Sequence, residues 1–399
     1  FINKTAPTVV GPVDGEGGTA SGIWTLDQAA DYEKQGLWPK PILDRELYTW
    51  GSGSSGALGQ NNTTNYSSPV QVGALITWEA ITQGSNYSIA YKTDGTMWSL
   101  GGLNSSGQLG QNNTAGYSSP VQIGALTNWT AEVKAGLGYT AAIKTDGTLW
   151  AWGAGTSGSL GQGNTTNQSS PVQVGALTTW STLGTGAYHC ASIKTDGTLW
   201  TWGMNAFGSL GLGNTTYTSS PQQVGALTNW STVAAGYVDT VAVKTDGTLW
   251  SWGNNNVGQL GLGNTTNYSS PVQVGALTTW LNVACGYYQT LAIKTDGTLW
   301  AWGKNTDGQL GLGDTTNRSS PVQVGALATW STLGLGKVSS GALKTDGTLW
   351  TWGYNAQGQL GLGDITNRSS PVQVGALTAW VFVKSGSGAE TNNGGITKS

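Results

Sequence analysis

The chain has 399 residues, of which 9% are charged, and it contains 63 Gly and 21 Trp. Its formal net charge is −3, and no cluster of Lys or Arg occurs, which argues against a nucleic-acid-binding surface. No stretch approaches the roughly 18–20 consecutive apolar residues that a membrane-spanning helix requires. The composition is typical of a turn-rich β protein with a polar, uncharged surface.

The first predicted element is a short helix within residues 1–42. The stretch "GPVDGEGGTASG", Gly11–Gly22, has the composition of a flexible tether. In the following stretch, Ile23–Pro39, Thr25 and Gln28 form a capping-box pair at the start of a helix. A helix of about two or three turns is too short to be stable alone, so we expect it to dock on another surface.

The rest of the chain, residues 43–399, repeats one unit with a period of roughly fifty residues. A hairpin sequence occurs as "KTDGTMW" or "KTDGTLW" starting at Lys92, Lys144, Lys194, Lys244, Lys294 and Lys344. One further unit is divided between the two ends of the chain. Asp44–Gly51, "DRELYTWG", resembles the end of the hairpin, and Trp380–Gly386, "WVFVKSG", resembles the beginning of a unit.

Each unit predicts four strands. In one unit these are Trp230–Gly236, Thr240–Lys244, Thr248–Gly253 and a less regular segment ending at Ser270–Gly275. The "TDG" between the second and third strands predicts a tight turn, because Asp and Gly tolerate a positive φ. Both faces of such a sheet pack on neighbouring sheets when the units form a ring, which explains the large apolar side chains of the third strand.

The repeated pattern "KTDGTLWAWGKNTDGQLGLGDTTNRSSPVQV" resembles the repeats of the regulator of chromosome condensation family. The resemblance covers residues 43–399 and implies an all-β, seven-bladed β-propeller closed by N- and C-terminal strands that share one blade. It leaves the function open, because the family's repeats occur in exchange factors, ligase subunits and secreted proteins. The chain has no basic tail, so no exchange-factor site is inferred.

A second resemblance concerns the N-terminal segment. The sequence "SGIWTLDQAADYEKQGLWP" is similar to stretches of tailed-phage virion proteins, particularly those of cyanophages. This resemblance implies that residues 1–42 dock on other virion proteins through Trp24, Leu26 and Trp38. The alternative is a helix that plugs one mouth of the propeller.

The sequence predicts no catalytic site, metal site or cofactor. His189 is the single histidine, and its position indicates a loop residue rather than a catalyst. The six hairpin Asp residues are expected to cap their own turns. The stretches "GLGDTTN" and "GLGDITN" resemble calcium loops but offer one Asp each, which is too few oxygen ligands. Cys190 and Cys285 are expected to be free and buried.

Differences among the copies point to a binding surface. The units differ most between the first and second strands and after the third strand, and these loops emerge on the same face of a propeller. One interpretation is that the sequences of these loops have diverged because nothing constrains them. The other is that the loops contact a partner that lacks sevenfold symmetry. Aromatic and amide side chains dominate these loops, so a host-surface glycan is the expected ligand, and the same side chains also suit a protein interface. The candidate ligand-binding residues are Tyr188, Tyr237, Tyr287, Tyr288, Tyr354, Asn86 and Gln289.

Together these patterns predict a non-enzymatic virion protein of a tailed phage. The propeller is expected to be displayed outside the particle as a fibre or tail-associated adhesin that binds a host-surface ligand. One alternative is a purely structural capsid or tail decoration protein. A second alternative is a bacterial secreted or regulatory propeller that acts as an interaction protein.

Overall fold

A computed structural model describes residues 44–385 and 392–398. They form seven four-stranded antiparallel sheets, and two turns of 3-10 helix lie at Ser54–Gly56 and Thr156–Gly158. The predicted N-terminal helix and Trp24, Leu26 and Trp38 lie outside the described residues. No helix within the described part of the chain is long and apolar enough to cross a membrane.

Each sheet is one blade, and its strands follow one another outward from the central axis. The first two strands of the chain are β1 (Arg45–Gly51) and β2 (Tyr66–Gln71). Blades 1 to 3 contain β3 (Trp78–Gln83), β4 (Ser88–Lys92), β5 (Met97–Gly101), β6 (Tyr117–Gln122), β7 (Trp129–Ala135), β8 (Tyr139–Lys144), β9 (Leu149–Gly153), β10 (Gln168–Gln173), β11 (Trp180–Thr185), β12 (His189–Lys194), β13 (Leu199–Gly203) and β14 (Thr218–Gln223). Blades 4 to 6 contain β15 (Trp230–Ala235), β16 (Asp239–Lys244), β17 (Leu249–Gly253), β18 (Tyr268–Gln273), β19 (Trp280–Cys285), β20 (Gln289–Lys294), β21 (Leu299–Gly303), β22 (Arg318–Gln323), β23 (Trp330–Leu335), β24 (Ser339–Lys344), β25 (Leu349–Gly353) and β26 (Arg368–Gln373). The last two strands are β27 (Trp380–Ser385) and β28 (Asn392–Lys398).

Blade 7 joins the two ends of the chain, as the sequence predicts. Its strand order is β2-β1-β28-β27, so the N-terminal strands form its outer half and the C-terminal strands its inner half. The register between β1 and β28 runs from Arg45 opposite Lys398 to Gly51 opposite Asn392. The seven-bladed, closed all-β propeller is therefore confirmed.

The repeated hairpin turn is held by its own side chains. In blade 4 the Asp246 carboxylate accepts hydrogen bonds from the Thr248 backbone N–H at 2.9 Å and from the Thr248 hydroxyl at 2.6 Å. The Thr248 hydroxyl in turn accepts a hydrogen bond from the Trp250 indole N–H at 2.9 Å. The same bonds recur at Asp94, Asp146, Asp196, Asp296 and Asp346. The hairpin Asp residues are thus turn caps, as predicted.

The core lies between adjacent blades. In six blades the second tryptophan of the third strand is fully buried, and its indole N–H donates to a carbonyl of the preceding blade, as in the 2.9 Å bond from Trp252 to Ser209; in blade 1 Leu100 takes its place. The Trp252 ring lies 6.0 Å from that of Trp230, in an edge-to-face arrangement. Burial of one such side chain removes roughly 200 Å² from water, worth about 5 kcal/mol before the entropy cost. The repeated Gly of "LG" makes room for this ring, because a Cβ at Gly211 would lie 2.8 Å from the Trp252 indole nitrogen.

The innermost strands line a narrow central channel with a volume of about 330 Å³. Glu132 and Lys134 form an ion pair in the channel at 3.4 Å. Cys285 also lines the channel and is half-buried, whereas Cys190 is fully buried. Cys190 is a free, buried thiol, as predicted, whereas Cys285 differs from the prediction in being only half-buried.

Candidate functional site

Two sets of loops lie together on one face of the propeller, which we call the variable rim. The loops between first and second strands are tied to the loops after the third strands by backbone hydrogen bonds, such as Lys304 N–H to Tyr288 O at 2.9 Å. Neighbouring blades are also linked, as by the bond from Ala187 N–H to Gly236 O at 3.3 Å. The opposite face, the repeated rim, carries the "TDG" turns and the connections between blades.

Four tyrosines of the variable rim form one cluster across blades 3, 4 and 5. Tyr188, Tyr237, Tyr287 and Tyr288 are all half-buried, and we call them the tyrosine cluster. Tyr237 stacks on Tyr287 with ring centroids 3.8 Å apart, although the two residues belong to neighbouring blades. Tyr188 lies 5.9 Å from Tyr237, and Tyr288 lies 4.6 Å from Tyr287, both edge to face. The structure therefore brings together four of the seven predicted residues.

Lys337 of blade 6 extends the cluster. Its ammonium nitrogen lies 5.3 Å from the centroid of the Tyr287 ring, within the range of a cation–π contact. Burial, reinforced by the neighbouring Tyr237, raises the pKa of Tyr188 and of Tyr287, and burial likewise raises the pKa of Tyr288. The cluster is therefore a neutral aromatic surface with one cation at its edge. Lys337 was missed because a lysine in a divergent loop carries no motif.

The other three predicted residues are not part of this cluster. Tyr354 lies on the same rim in blade 6, but it makes no ring contact with another aromatic side chain of the described residues. Asn86 lies in blade 1 with a positive φ of 60°, which marks it as a turn residue. Gln289 is buried, and its amide donates to Gly336 O of blade 6 at 2.9 Å. Gln289 therefore joins two blades and does not face a ligand.

Gln289 belongs to a ring of buried polar residues beneath the variable rim. Five of the second strands begin one residue earlier than the sequence suggests, and the first side chain of each is buried, in β8, β12, β16, β20 and β24. Tyr139 occupies this position in blade 2, and its hydroxyl donates to His189 O of blade 3 at 2.5 Å. In blade 1 the hydroxyl of Tyr87 donates the equivalent bond to Tyr139 O of blade 2. These residues couple the blades below the loops that form the tyrosine cluster.

His189 occupies the same position in blade 3, so its prediction as a loop residue is wrong. It is the first residue of β12 and is 1% exposed. Its Nε2 lies 2.9 Å from the Thr240 hydroxyl oxygen, and that hydroxyl donates to Ser209 O at 2.8 Å. Since the Thr240 proton is already engaged, His189 Nε2 is the donor of the first bond. Burial lowers the pKa of His189 to about 4, so the ring is neutral near pH 7.

Asp239 occupies this position in blade 4 and is the exception in the ring. The side chains of Tyr87, Tyr139, His189 and Gln289 donate hydrogen bonds, whereas a carboxylate can only accept them. Asp239 is 1% exposed, and its Oδ1 has no hydrogen-bond partner within the described part of the chain. Burial therefore raises its pKa well above the usual range, opposed by the Val238 backbone N–H. Comparison of the copies at this one position identifies Asp239 from the sequence, because every other copy places a neutral side chain there.

The loops that resemble calcium sites are occupied by protein groups. Asp314 accepts a hydrogen bond from Thr316 N–H at 2.9 Å and pairs with Arg318 at 2.6 Å. Asp364 makes the same contacts with Thr366 and Arg368. Within residues 44–385 and 392–398, no group of three or more His, Cys, Asp or Glu side chains is arranged to hold a metal ion.

These features define the chain as a closed β-propeller with a variable rim on one face and a repeated rim on the other. Residues 46–392 match the RCC1-like domain, and the chain belongs to this family. The resemblance inferred from the repeated hairpin is confirmed.

The chain is also similar to parts of larger curated proteins. It is 32% identical over 175 residues to the ultraviolet-B receptor UVR8 of Arabidopsis thaliana, a match that covers 43% of this chain and 38% of that protein. It is 30% identical over 152 residues to the E3 ubiquitin-protein ligase HERC2 of Homo sapiens, covering 36% of this chain and 3% of the ligase. The matched region thus spans well under half of these relatives.

Two solved structures show the same fold. Human WBSCR16 superposes with a TM-score of 0.78 at 20% identity, covering 89% of this chain and 99% of that one. Yeast RCC1 (Prp20), solved with Kap60, superposes with a TM-score of 0.78 at 20% identity and covers 90% of each chain.

The prediction of a tailed-phage adhesin is wrong. The relatives named above are regulatory proteins of a plant and of human, and a further Arabidopsis relative, RUG3, is named as a mitochondrial protein. The predicted virion and extracellular location and the virion partners of residues 1–42 fail for the same reason. The resemblance to virion proteins rested on a short sequence pattern. A capping-box pair followed by Gly, Trp and Pro is common wherever a sequence predicts the two ends of a helix, and it does not specify a virion protein.

Proposed function

We propose that this chain is a non-catalytic interaction protein that binds a protein partner through the tyrosine cluster of its variable rim. The observation that carries the proposal is the contact among Tyr188, Tyr237, Tyr287 and Tyr288, which joins loops of three blades into one aromatic surface. Tyrosine is enriched at protein interfaces because it offers a large apolar face and a hydroxyl at little entropic cost.

The family supports this interpretation. Yeast RCC1 (Prp20) has been solved bound to Kap60, and the binding of Prp20p to Gsp1p and histones has been described together with its structure. Those partners are properties of the yeast protein. For this chain they favour a protein as the ligand class over a glycan, and the proposed role requires no chemical step.

The difference between the two rims is the second support. The "TDG" turns make the same hydrogen bonds in each of the six hairpins, whereas the loops of the variable rim carry different side chains in each blade. A partner without sevenfold symmetry would contact each of these loops differently. The proposal includes the predicted division of the chain into residues 1–42 and a propeller at residues 43–399.

The test is site-specific photo-crosslinking. A photoreactive phenylalanine analogue is placed at Tyr287 and, as a control, at Tyr217, which is an exposed tyrosine outside the cluster. In extract of the cells that produce the protein, we expect one discrete protein to crosslink at Tyr287 and not at Tyr217.

The same product should be lost when Tyr188 and Tyr237 are replaced by Ser in the Tyr287-labelled chain, with thermal unfolding confirming an intact ring. Identical products at Tyr287 and Tyr217, or a product that survives the two replacements, would show that the cluster is not the binding surface.

A further inference from the structure

The repeated rim contains a series of grooves between neighbouring blades, which we call the interblade grooves. One lies between blades 3 and 4, with a volume of about 430 Å³, and one between blades 5 and 6, with a volume of about 420 Å³. A third of the same construction lies between blades 1 and 2. In the first of these the walls are Leu212, Leu227, Trp230, Trp250 and Pro271.

An exposed leucine stands at the edge of every groove. Leu227 is 48% exposed and Leu327 is 50% exposed, and both lie in the connection between two blades. The equivalent residues of the other blades are between 47% and 49% exposed, at Leu75, Leu126, Leu177, Leu277 and Leu377. A ligand that covers such an exposed apolar side chain lowers the free energy of the complex, and the same position is available in every blade.

A buried ammonium group lines the inner wall of two grooves. Lys244 is 7% exposed and Lys344 is 9% exposed. The Lys244 ammonium lies 3.7 Å from the centroid of the Trp250 ring and 4.9 Å from that of Trp230. The Lys344 ammonium lies 3.6 Å from the centroid of the Trp350 ring.

Neither ammonium forms a direct ion pair within the described part of the chain, although Asp246 and Asp346 of the adjacent hairpin turns act at longer range on Lys244 and Lys344. Among the described residues no carboxylate lies within ion-pair distance of the Lys244 or Lys344 ammonium, and neither ammonium donates a hydrogen bond to a protein group. The aromatic faces offset part of the cost of burying the charge, but an ammonium has three N–H donors that rings satisfy poorly. Each of these two grooves therefore combines an apolar wall with an ammonium that has no directly bound carboxylate.

We propose that the interblade grooves bind an acidic peptide segment in which a carboxylate side chain lies next to an aliphatic one. The aliphatic side chain fits between the exposed leucine and the tryptophan pair, and the carboxylate pairs with the ammonium of Lys244 or Lys344. The groove between blades 5 and 6 also contains Arg318, but its charge is already paired with Asp314, so the ammonium is the cation available to the carboxylate. This inference concerns the repeated rim and is independent of the partner proposed for the tyrosine cluster.

The repetition of the grooves around the ring determines the affinity for a ligand that can occupy more than one of them. One groove that accepts one aliphatic group and one carboxylate is expected to bind with a dissociation constant near 1 mM. A segment that repeats the acidic and aliphatic pair can occupy neighbouring grooves at once, which raises the overall affinity about a hundredfold or more. The sevenfold pattern of exposed leucines therefore favours a ligand with a repeated motif.

The experiment uses the full chain and short synthetic peptides. The probe is acetyl-Glu-photoleucine-Glu-amide, and its match is the same peptide with Gln in place of both Glu. After irradiation and proteolysis, we expect crosslinks from the Glu peptide at Leu227, Leu327 and the adjacent tryptophans. The Gln peptide should need at least about tenfold higher concentration for the same yield, because it cannot pair with the ammonium.

Two pairs of variants separate the contributions. Lys244→Met with Lys344→Met keeps the aliphatic stems and removes both charges, and Leu227→Ser with Leu327→Ser removes the exposed leucines without touching the lysines. Each pair should lower crosslinking at these two grooves at least about fivefold, and crosslinks near Leu126 in the groove of blades 1 and 2 serve as the internal control. The leucine pair tests the proposal even if the lysine pair does not fold. Equal yields from the Glu and Gln peptides, or crosslinks confined to the variable rim, would overturn it.

Discussion

The ring of Tyr237 stacks on the ring of Tyr287 across the boundary between blades 4 and 5, with centroids 3.8 Å apart and planes 26° apart. Two loops from different blades thereby act as one surface. We expect this contact to contribute to stability as well as to binding. In a double-mutant cycle with Tyr237→Ala and Tyr287→Ala, the coupling free energy should be about 0.5–1.5 kcal/mol, as found for stacked aromatic pairs.

The cycle is measured by urea unfolding of the four chains. Tyr188→Ala with Tyr354→Ala is the matched control, since those two rings make no contact, and its coupling should be near zero. Coupling near zero for the stacked pair as well would mean that the two loops move independently in solution.

Asp239 should make stability fall as the pH rises. Its carboxyl group is buried, and its pKa is raised in the folded chain, so the folded state favours the protonated form. The stability that this preference provides is present below the unfolded pKa of about 4 and is lost as the pH rises through the folded pKa. Asp239→Gln, which copies Gln289 of blade 5, should therefore gain stability relative to the parent chain between pH 4.5 and pH 7.5.

The measurement is the free energy of unfolding at those two pH values. Asp307→Asn, at a carboxylate of the same rim outside the buried ring, is the control and should leave the difference between the two pH values unchanged. An Asp239→Gln chain that is less stable than the parent at pH 7.5 would show that the carboxylate has a partner in the folded state.

The repeated hairpins made the fold predictable from the sequence. Asp246, Gly247 and Trp250 act through contacts within four residues of one another, so a short local pattern specifies the turn, the strand and the half-buried ring. The six hairpins and the one unit divided between the chain ends give the seven blades. Pairing of the chain ends was also predictable, because the first and last fragments complete one unit.

The site was only partly predictable. The loops that carry Tyr188, Tyr237, Tyr287 and Tyr288 could be placed on one rim from the order of strands, but their mutual stacking depends on the spacing of blades. Gln289 was misassigned because β20 starts one residue before the apparent strand, and alternation then turns its side chain inward. An error of one residue in a strand boundary leaves such a residue in an apparent loop, where alternation assigns its side chain no face.

His189 should make the chain sensitive to acid. Its pKa is lowered to about 4 by burial, whereas an unfolded histidine titrates near 6.5. Stability is therefore present above about pH 6.5 and is lost as the pH falls towards about 4, by roughly 3 kcal/mol in total. His189→Gln removes this group and should reduce the loss between pH 6.5 and pH 4.5.

Urea unfolding at closely spaced pH values measures this effect. Asp239 acts in the opposite direction over the same range, so the difference between the parent and His189→Gln is the informative quantity. A parent chain and variant with parallel pH profiles would contradict a buried, neutral His189.

Closure of the ring should depend on β28. This strand pairs with β1 on one side and with β27 on the other, and Ile396 packs with Leu47 and Trp78 in the core between blades 7 and 1. Deletion of residues 386–399 removes both sets of backbone hydrogen bonds and exposes two strand edges. We expect the free energy of unfolding to fall by at least about 4 kcal/mol, which corresponds to a decrease of about 5 °C in Tm for a ring of this size. Deletion of Ser399 alone leaves β28 intact and should leave the Tm unchanged.

Ile396→Ala should lower the free energy of unfolding by about 2–5 kcal/mol, comparable to a large-to-small change in a fully formed core. A deletion that left the Tm unchanged would show that the ends of the chain do not close the ring.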